Sequence, residues 1–436
     1  MRRLFRALVR SAPSPMNRYW KLLRERDYAL LWGGATVSAL GDGMSFVALI
    51  WLLIERGGTA ADIGWLSAVY TAPVIVGGIA AGIVLDRFDR RRIIAADNVI
   101  RGLAIASIPV ADALGVLTTI QLFVVAGIYG LLFMTSIAGL PSLIPALVGE
   151  EDLTTANAME SITYGIAGLI GPALAGVIIA VIGASAVLAV DAVTYAVFVV
   201  CLLLIRKGGT SAAIRTAERA HGLDPHAGAP SAGMGIGPAV RFIVGAPAIV
   251  AITLMYMSLN ISGGIGSVLI PIYARDVLGG GATTYGVLLS ALTGGELVGL
   301  LLVGAIHWRW PLGRSIAVGA LASGLIWSLL LLRPGLPIIL LVLAVSGIAE
   351  SSLTPWAQTI RMRLIPAHLR GRVFALLRTT MQSTRPIGAI AGGLLLVGGD
   401  LTPALAAMAL LIGVPGAIGL FLPALGRGPT AEPVAG

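Results

Sequence analysis

The chain has 436 residues, of which 57% are hydrophobic and 12% charged, and its mean hydropathy is +0.93. A soluble protein of this length carries about twice that charge, so a water-soluble globular fold is excluded and an all-α, multi-pass membrane protein is expected. The net charge of +9 does not point to nucleic acid. The arginines sit between apolar stretches, where orientation in the bilayer and contact with anionic lipid account for them.

Residues 1–27 hold eight Lys/Arg and lack an apolar core long enough for a cleaved signal peptide, so they read as a cytosolic amphipathic tail. Met16 opens a second plausible start, MNRYWKLLRERDY, which would make the first fifteen residues dispensable. Twelve apolar segments of roughly 20 residues follow, the length a helix needs to cross the hydrocarbon core. Six centre near Ser38, Pro73, Leu103, Tyr129, Pro172 and Thr194, and six near Asn260, Ser290, Ser323, Ala344, Ile387 and Leu411. Between them, Arg206 to Gly237 is rich in Gly, Ala, Pro and charge, with His221 and His226, as flexible linkers are. The expected organisation is a tail (1–27), a six-helix bundle (28–205), a cytosolic linker (206–240), a second six-helix bundle (241–424) and a C-terminal tail (425–436).

With twelve spans and both termini cytosolic, 25 of the 30 Lys/Arg fall on cytosolic stretches. Arg56, Arg275 and Arg333 fall outside, and Arg101 and Arg385 lie within spans. A missed helix would scramble this count. A weak repeat runs through the chain: Leu143-Ile144-Pro145-Ala146 recurs as Leu364-Ile365-Pro366-Ala367, and each is followed by a span with Pro and small residues. Gly299, His307, Arg309, Gly313 and Arg314 give a third, worn echo. Together they suggest two parallel six-helix halves. Cys201, alone in an apolar run, allows no internal disulfide, and no histidine pair has ligand spacing, so no metal is expected.

The stretch Gly82 to Ile94, GIVLDRFDRRRII, joins two spans directly. Gly82 would let helices approach closely. Asp86 can accept charge-assisted hydrogen bonds from arginines or a helix N-terminus, a latch that breaks when the halves rock apart. Topology alone would explain Arg87, Arg90 and Arg91, but not Gly and Asp at those offsets. The stretch resembles the loop signature of the major facilitator superfamily, G-x-x-x-D-R-x-G-R-R; Asp89 replaces the family's glycine, so a looser turn is expected.

Ionisable side chains inside spans are functional candidates by default. Asp42 lies halfway along the first span, between Gly41 and Gly43, which are expected to leave room for water or ligand. Glu296, after Gly294-Gly295, is its counterpart in the eighth. Carboxylates near the midplane can hold a proton through desolvation and release it when a cationic substrate arrives to compete; the alternative is a hydrogen bond between helices. Asp97 and Arg101, four apart, can pair and are expected to brace the latch. Glu350 is expected to pair with Arg378 or Arg385, and Arg385 to hold a carboxylate or an anionic part of the substrate. Asp191 and Glu160 look structural. Trp65, Tyr164 and Trp327 are among the aromatics available to line a cavity.

Gly168, Gly171, Pro172 and Gly176 set small residues and a bending proline along one side of the fifth span. The pattern resembles the glycine-proline motif of exporters and antiporters in the superfamily, with Ala175-Gly176 where Gly-Gly is usual; ordinary close packing is the alternative. Phrases such as ALWGGATVSALGDGMSFVAL and LIPALVGEEDLTTANAMESITYGIAGLIGPALAG resemble its enterobactin-exporter and macrolide-efflux branch. The resemblance implies a proton-driven antiporter that exports drug-like or siderophore-like amphipathic molecules by alternating access. It further implies a monomer in the inner membrane whose only partners are substrate, protons and lipid. Proton-coupled uptake of a metabolite, or a non-transporting receptor on the same fold, are the rivals. No Gly-Lys-Ser/Thr triplet is present, so ATP is not expected to drive it, and no HExxH or GxSxG suggests an enzyme. No cofactor is expected.

Overall fold

In the computed structural model, residues 15–206, 236–305 and 310–426 are described, and every regular element among them is helical. A short helix, α1 (Pro15–Arg24), precedes α2 (Arg26–Glu55), α3 (Ala60–Thr71), α4 (Pro73–Arg87), α5 (Arg90–Ala113), α6 (Thr119–Leu143), α7 (Leu153–Ile182) and α8 (Ala184–Leu204). The second series is α9 (Gly237–Val244), α10 (Pro247–Ile272), α11 (Ala282–Ala305), α12 (Leu312–Ser328), α13 (Leu336–Leu364), α14 (Arg370–Gln382), α15 (Thr384–Leu395) and α16 (Thr402–Phe421).

Eleven helical stretches among the described residues are long and apolar enough to cross a membrane, with α3 and α4 joined as one. The segment expected around Ile387 is instead divided into α14 and α15 at Ser383, and neither reaches spanning length alone. Pro386 is the cause we assign. It has no N–H for the Gln382 carbonyl, and its ring crowds that carbonyl. Pro73 divides α3 from α4 in the same way.

Local chemistry sets the other ends. Thr59 and Asp62 form a reciprocal cap on α3: Asp62 N–H donates to Thr59 Oγ1 at 3.2 Å, and Thr59 N–H donates to Asp62 Oδ2 at 2.8 Å. Asp89 caps α5 by accepting from Arg92 N–H at 3.0 Å. The arginine-rich turn is therefore not loosened by the loss of glycine. Only Phe88 and Asp89 separate α4 from α5, and the carboxylate satisfies the exposed helix start. Gly183, at φ +88°, reverses the chain from α7 into α8 in one residue, a conformation that favours glycine.

Both series use the same pairings. In the first, α2 packs on α7 and α8, α5 on α6 and α8, and α4 on α6. In the second, α10 packs on α15 and α16, α12 on α13 and α16, and α11 on α13. The Leu-Ile-Pro-Ala repeats fall at equivalent places, just past α6 and at the end of α13. His307 and Arg309 of the third echo, and His221 and His226, lie outside the described residues.

Two packings join the series, α7 on α11 and α3 on α15, and they exchange under the same correspondence. Backbone meets backbone there. A Cβ on Gly64 would lie 2.6 Å from the Ala389 carbonyl oxygen, and one on Gly393 2.9 Å from that of Ala60. On the other seam, Thr283 Oγ1 donates to the Gly176 carbonyl at 3.0 Å. These contacts lie at the span ends opposite the arginine-rich turn. At the turn's own end, α1 is fastened by Lys21 Nζ to Asp152 at 2.7 Å and Glu151 at 3.3 Å.

Candidate functional site

The first series gathers a charged network around Arg101. Asp97 and Arg101 share the buried face of α5 with Ile94, Asn98 and Ile105, so a helix otherwise packed with apolar groups carries an ion pair inward. Arg101 is 1% exposed. It donates from Nη2 to Asp97 Oδ2 at 2.8 Å and to Ser136 Oγ of α6 at 2.8 Å. Its Nη1 reaches Asp42 Oδ1 of α2 at 3.4 Å and Tyr195 Oη of α8 at 3.2 Å. The guanidinium also lies over the rings of Tyr195 and Tyr129, at 4.8 and 5.5 Å from their centroids. One cation thus ties four helices together.

Asp42 accepts a hydrogen bond from the Tyr195 hydroxyl as well. Its flanking glycines do not leave room for water or ligand. A Cβ on Gly41 would sit 2.0 Å from Asp191 Oδ1, and one on Gly43 2.6 Å from the Ala167 carbonyl. Gly41 and Gly43 let α8 and α7 close on α2, and their close approach builds the site. Asp191, buried on α8, accepts from Ser45 Oγ and contacts Thr194 Oγ1 at 2.9 Å. Two carboxylates, Asp97 and half-buried Asp42, therefore share one guanidinium, and a third, buried Asp191, lies close by, bonded to Ser45 and Thr194.

Among the described residues, the hydrogen bonds of Asp97 and Arg101 run to α2, α6 and α8 and not to the arginine-rich turn, so in this conformation the pair engages Asp42 and not the latch it was expected to brace. Asp191, read from sequence as structural, lies beside this network through Tyr195 of the same helix, and Tyr195 and Ser136, which the sequence did not single out, belong to it. The rule that flags Asp42, a carboxylate inside an apolar span, flags Asp191 equally, and Tyr195 is one helical turn further on.

At the turn, Asp86 and Arg87 are exposed, and Asp86 has no hydrogen bond or ion pair among the described residues. A Cβ on Gly82 would meet nothing within 4 Å, so the helix approach expected there is absent in this conformation. Arg90 Nη1 donates to the Ser142 carbonyl at 3.4 Å, and Arg91 Nη2 to the Leu203 carbonyl at 2.8 Å. Both arginines grip the ends of helices in their own series, and Arg91 lies against the carbonyl-rich end of α8.

In the second series Glu350 pairs with neither Arg378 nor Arg385. Its Oε1 accepts from Ser323 Oγ at 2.7 Å and from Trp327 Nε1 at 2.8 Å, which fastens α13 to α12. Trp327 is thereby buried rather than lining a cavity, whereas Trp65 and Tyr164 are 52% and 38% exposed. Arg385 is exposed despite its depth in the sequence of the span, and Glu296, half-buried, lies within electrostatic reach of it. Gly294 and Gly295 beside Glu296 are packing positions: a Cβ on Gly295 would lie 2.0 Å from the Ala344 carbonyl.

The glycine-proline stretch of α7 packs on two sides. Gly171 meets Gly43 of α2, with a Cβ-to-backbone distance of 3.0 Å. Gly168 faces Thr293, the Pro172 carbonyl faces Gly286, and Gly176 faces Ala282, all on α11. The stretch is the seam between the series, and its small residues set how closely they meet.

Comparison with known proteins places this geometry. A family model described as transmembrane secretion effector matches residues 18–427. The chain is 26% identical over 404 residues to the multidrug efflux pump Tap of Mycobacterium tuberculosis, covering 89% of this chain and 91% of that one. It is 24% identical over 393 residues to macrolide efflux protein A of Streptococcus pyogenes, covering 87% and 91%. In fold it is similar to the nucleoside transporter NupG, with a TM-score of 0.68 at 14% identity over 91% of this chain and 98% of that one.

Proposed function

The chain belongs to the transmembrane secretion effectors of the major facilitator superfamily, and from that premise we propose that it exports drug-like or siderophore-like amphipathic molecules across the inner membrane against an inward flow of protons. The two relatives named as efflux pumps support export. The observation that carries proton coupling is the Arg101 network. With Asp97, Asp42 and Asp191 all ionised, the buried cluster would hold two uncompensated negative charges, which a desolvated site does not tolerate. Protons close that balance. A proton on Asp42 removes its attraction for Arg101 and leaves the guanidinium to Asp97 and Ser136, so α2 is released from α5 and α8. Loss of the proton draws them together again.

The matching pairings support two six-helix halves, with α14 and α15 together forming the eleventh of twelve spans and both termini in the cytosol. Rocking of the halves about the α7–α11 and α3–α15 seams then alternates access. The exposed, unpaired Asp86 fits a state in which the seams are closed at the far end and the cytosolic latch is open. Glu296 and Arg385 would face substrate in the second half, while Gly82 to Arg91 re-engage on closure.

Dye efflux from energised cells tests the proposal. Uncoupler treatment and Asp42→Asn should each abolish efflux while the variant remains in the membrane at wild-type level. Uncoupler-sensitive efflux that survives Asp42→Asn would remove Asp42 from the coupling path. Energy-dependent accumulation of substrate, instead of depletion, would favour uptake.

A further inference from the structure

Beyond Asp42, the first series holds a second, unassigned carboxylate beside aromatic rings. Glu160 of α7 lines a pocket with Tyr28 and Trp32 of α2 and with Thr163 and Tyr164 of its own helix. The polar ends of the α2 aromatics are already committed to α7 backbone: Tyr28 Oη donates to the Ala156 carbonyl at 3.2 Å, and Trp32 Nε1 donates to the Met159 carbonyl at 3.0 Å. Thr36 and Thr163 share one hydroxyl hydrogen bond at 2.8 Å. These bonds fix the α2 rings and commit the Tyr28 and Trp32 donors away from Glu160. Its half-buried carboxylate has no hydrogen bond or ion pair among the described residues.

A desolvated anion without a partner is unfavourable, and an anion framed by fixed aromatic faces suits an organic cation, whose charge is attracted by carboxylate and ring together. We propose that this pocket is a recognition site for lipophilic ammonium or phosphonium ions. Tyr164 is 38% exposed at its edge, so the body of such a ligand can extend past it. The neighbouring cavity, which contains Asp42 and Arg101, shares Ala35, Leu140 and Tyr164 with this pocket. A cation held at Glu160 therefore lies one cavity away from the network that takes the proton. Its role as an export substrate rests on the export reading above; its binding does not.

The test is equilibrium binding of tetraphenylphosphonium, and of neutral chloramphenicol for contrast, to the purified full-length protein by calorimetry. Wild type should bind tetraphenylphosphonium, Glu160→Gln should weaken it about tenfold, Glu160→Asp should recover part of the loss, and Tyr164→Leu should weaken it as well. Chloramphenicol affinity should be unchanged throughout. Equal tetraphenylphosphonium affinity in wild type and Glu160→Gln, no binding by wild type, or an equal loss for both probes would each overturn the proposal. Efflux assays separate the two readings. Export of chloramphenicol by cells whose Glu160→Gln protein binds the cation normally sinks only the pocket. Glu160-dependent binding without export of either probe sinks only the export reading.

Discussion

In the first series, α2, α5, α6 and α8 bring Asp42 and Asp97 onto one guanidinium, with Asp191 close by. In the second, the corresponding α10, α12, α13 and α16 hold a single half-buried carboxylate, Glu350, which neutral Ser323 and Trp327 satisfy. The second series' own buried cation, Arg361, lies over the Tyr256 ring at 5.3 Å rather than on a carboxylate. The scaffold is the same on both sides, so helix packing does not demand an ionic network. What distinguishes the first series is an ionic network in which one guanidinium links carboxylates and hydroxyls of several helices. The second fastens its carboxylate with neutral donors.

The largest effect that separates the two should come from Arg101→Met. Removing this cation leaves Asp97 and Asp42 without their partner, and breaking a buried pair this way costs on the order of 3–5 kcal/mol. Loss of efflux together with a sharply lower melting temperature in detergent is expected. Arg101→Lys keeps the charge but not the planar fork that serves Asp97 and Ser136 at once, so it should fall between. A Met variant as stable as wild type would mean that the network is not ionised at all, and the contrast between the series would disappear.

A smaller effect is expected at the seam, where Gly176 touches the backbone of Ala282 and Thr283. Gly176→Val has no flexible side chain to displace, so overpacking should cost about 1–3 kcal/mol and slow efflux while leaving tetraphenylphosphonium binding intact. Smaller still is Glu350→Gln. The amide keeps an oxygen for Ser323 and Trp327, so stability should change by less than about 1 kcal/mol and efflux should persist. If Glu350→Gln stops efflux as completely as Asp42→Asn, coupling resides in both series and the asymmetry is wrong.

The spans were legible because apolar length alone reports them, whereas Asp89 was read as loosening its turn and proves to cap α5. The division at Ser383 was not read, although the polar stretch from Arg378 to Arg385 and then Pro386 interrupt the apolar run there. Asp42, Asp97 and Arg101 could be picked out singly, each by being ionisable inside a span. Their meeting could not, because helices that are apolar on most sides give no periodic signal of which face turns toward which neighbour. The same blindness misassigned Gly41 and Gly43 as space and Glu350 as an ion-pair partner. It also hid the surroundings of Asp191, read only as structural, whose neighbours Ser45 and Gly41 lie about 150 positions earlier in the chain.

The last contrast is the weakest in energy and the cleanest in sign, because it concerns exposed groups outside the spans. In the first series, hydrogen bonds to Asp152 and then Glu151 raise the Lys21 amine above its ordinary pKa. Its contribution to stability is present in full below that ordinary value and is lost as pH rises through the raised one. In the second, Asp400 accepts from the Thr402 N–H at 3.0 Å, from the Thr402 hydroxyl at 2.8 Å and from Arg333 Nη2 at 3.0 Å. These bonds, the backbone one foremost, hold its carboxyl below the usual range. Its contribution is present above the ordinary carboxylate value and is lost as pH falls through the lowered one. Thermal melts across pH should therefore show Lys21→Met converging with wild type on the alkaline limb, and Asp400→Asn converging on the acid limb. Failure to converge on the named limb for either variant would show that the pair in question does not hold the α1 dock or the start of α16 through charge.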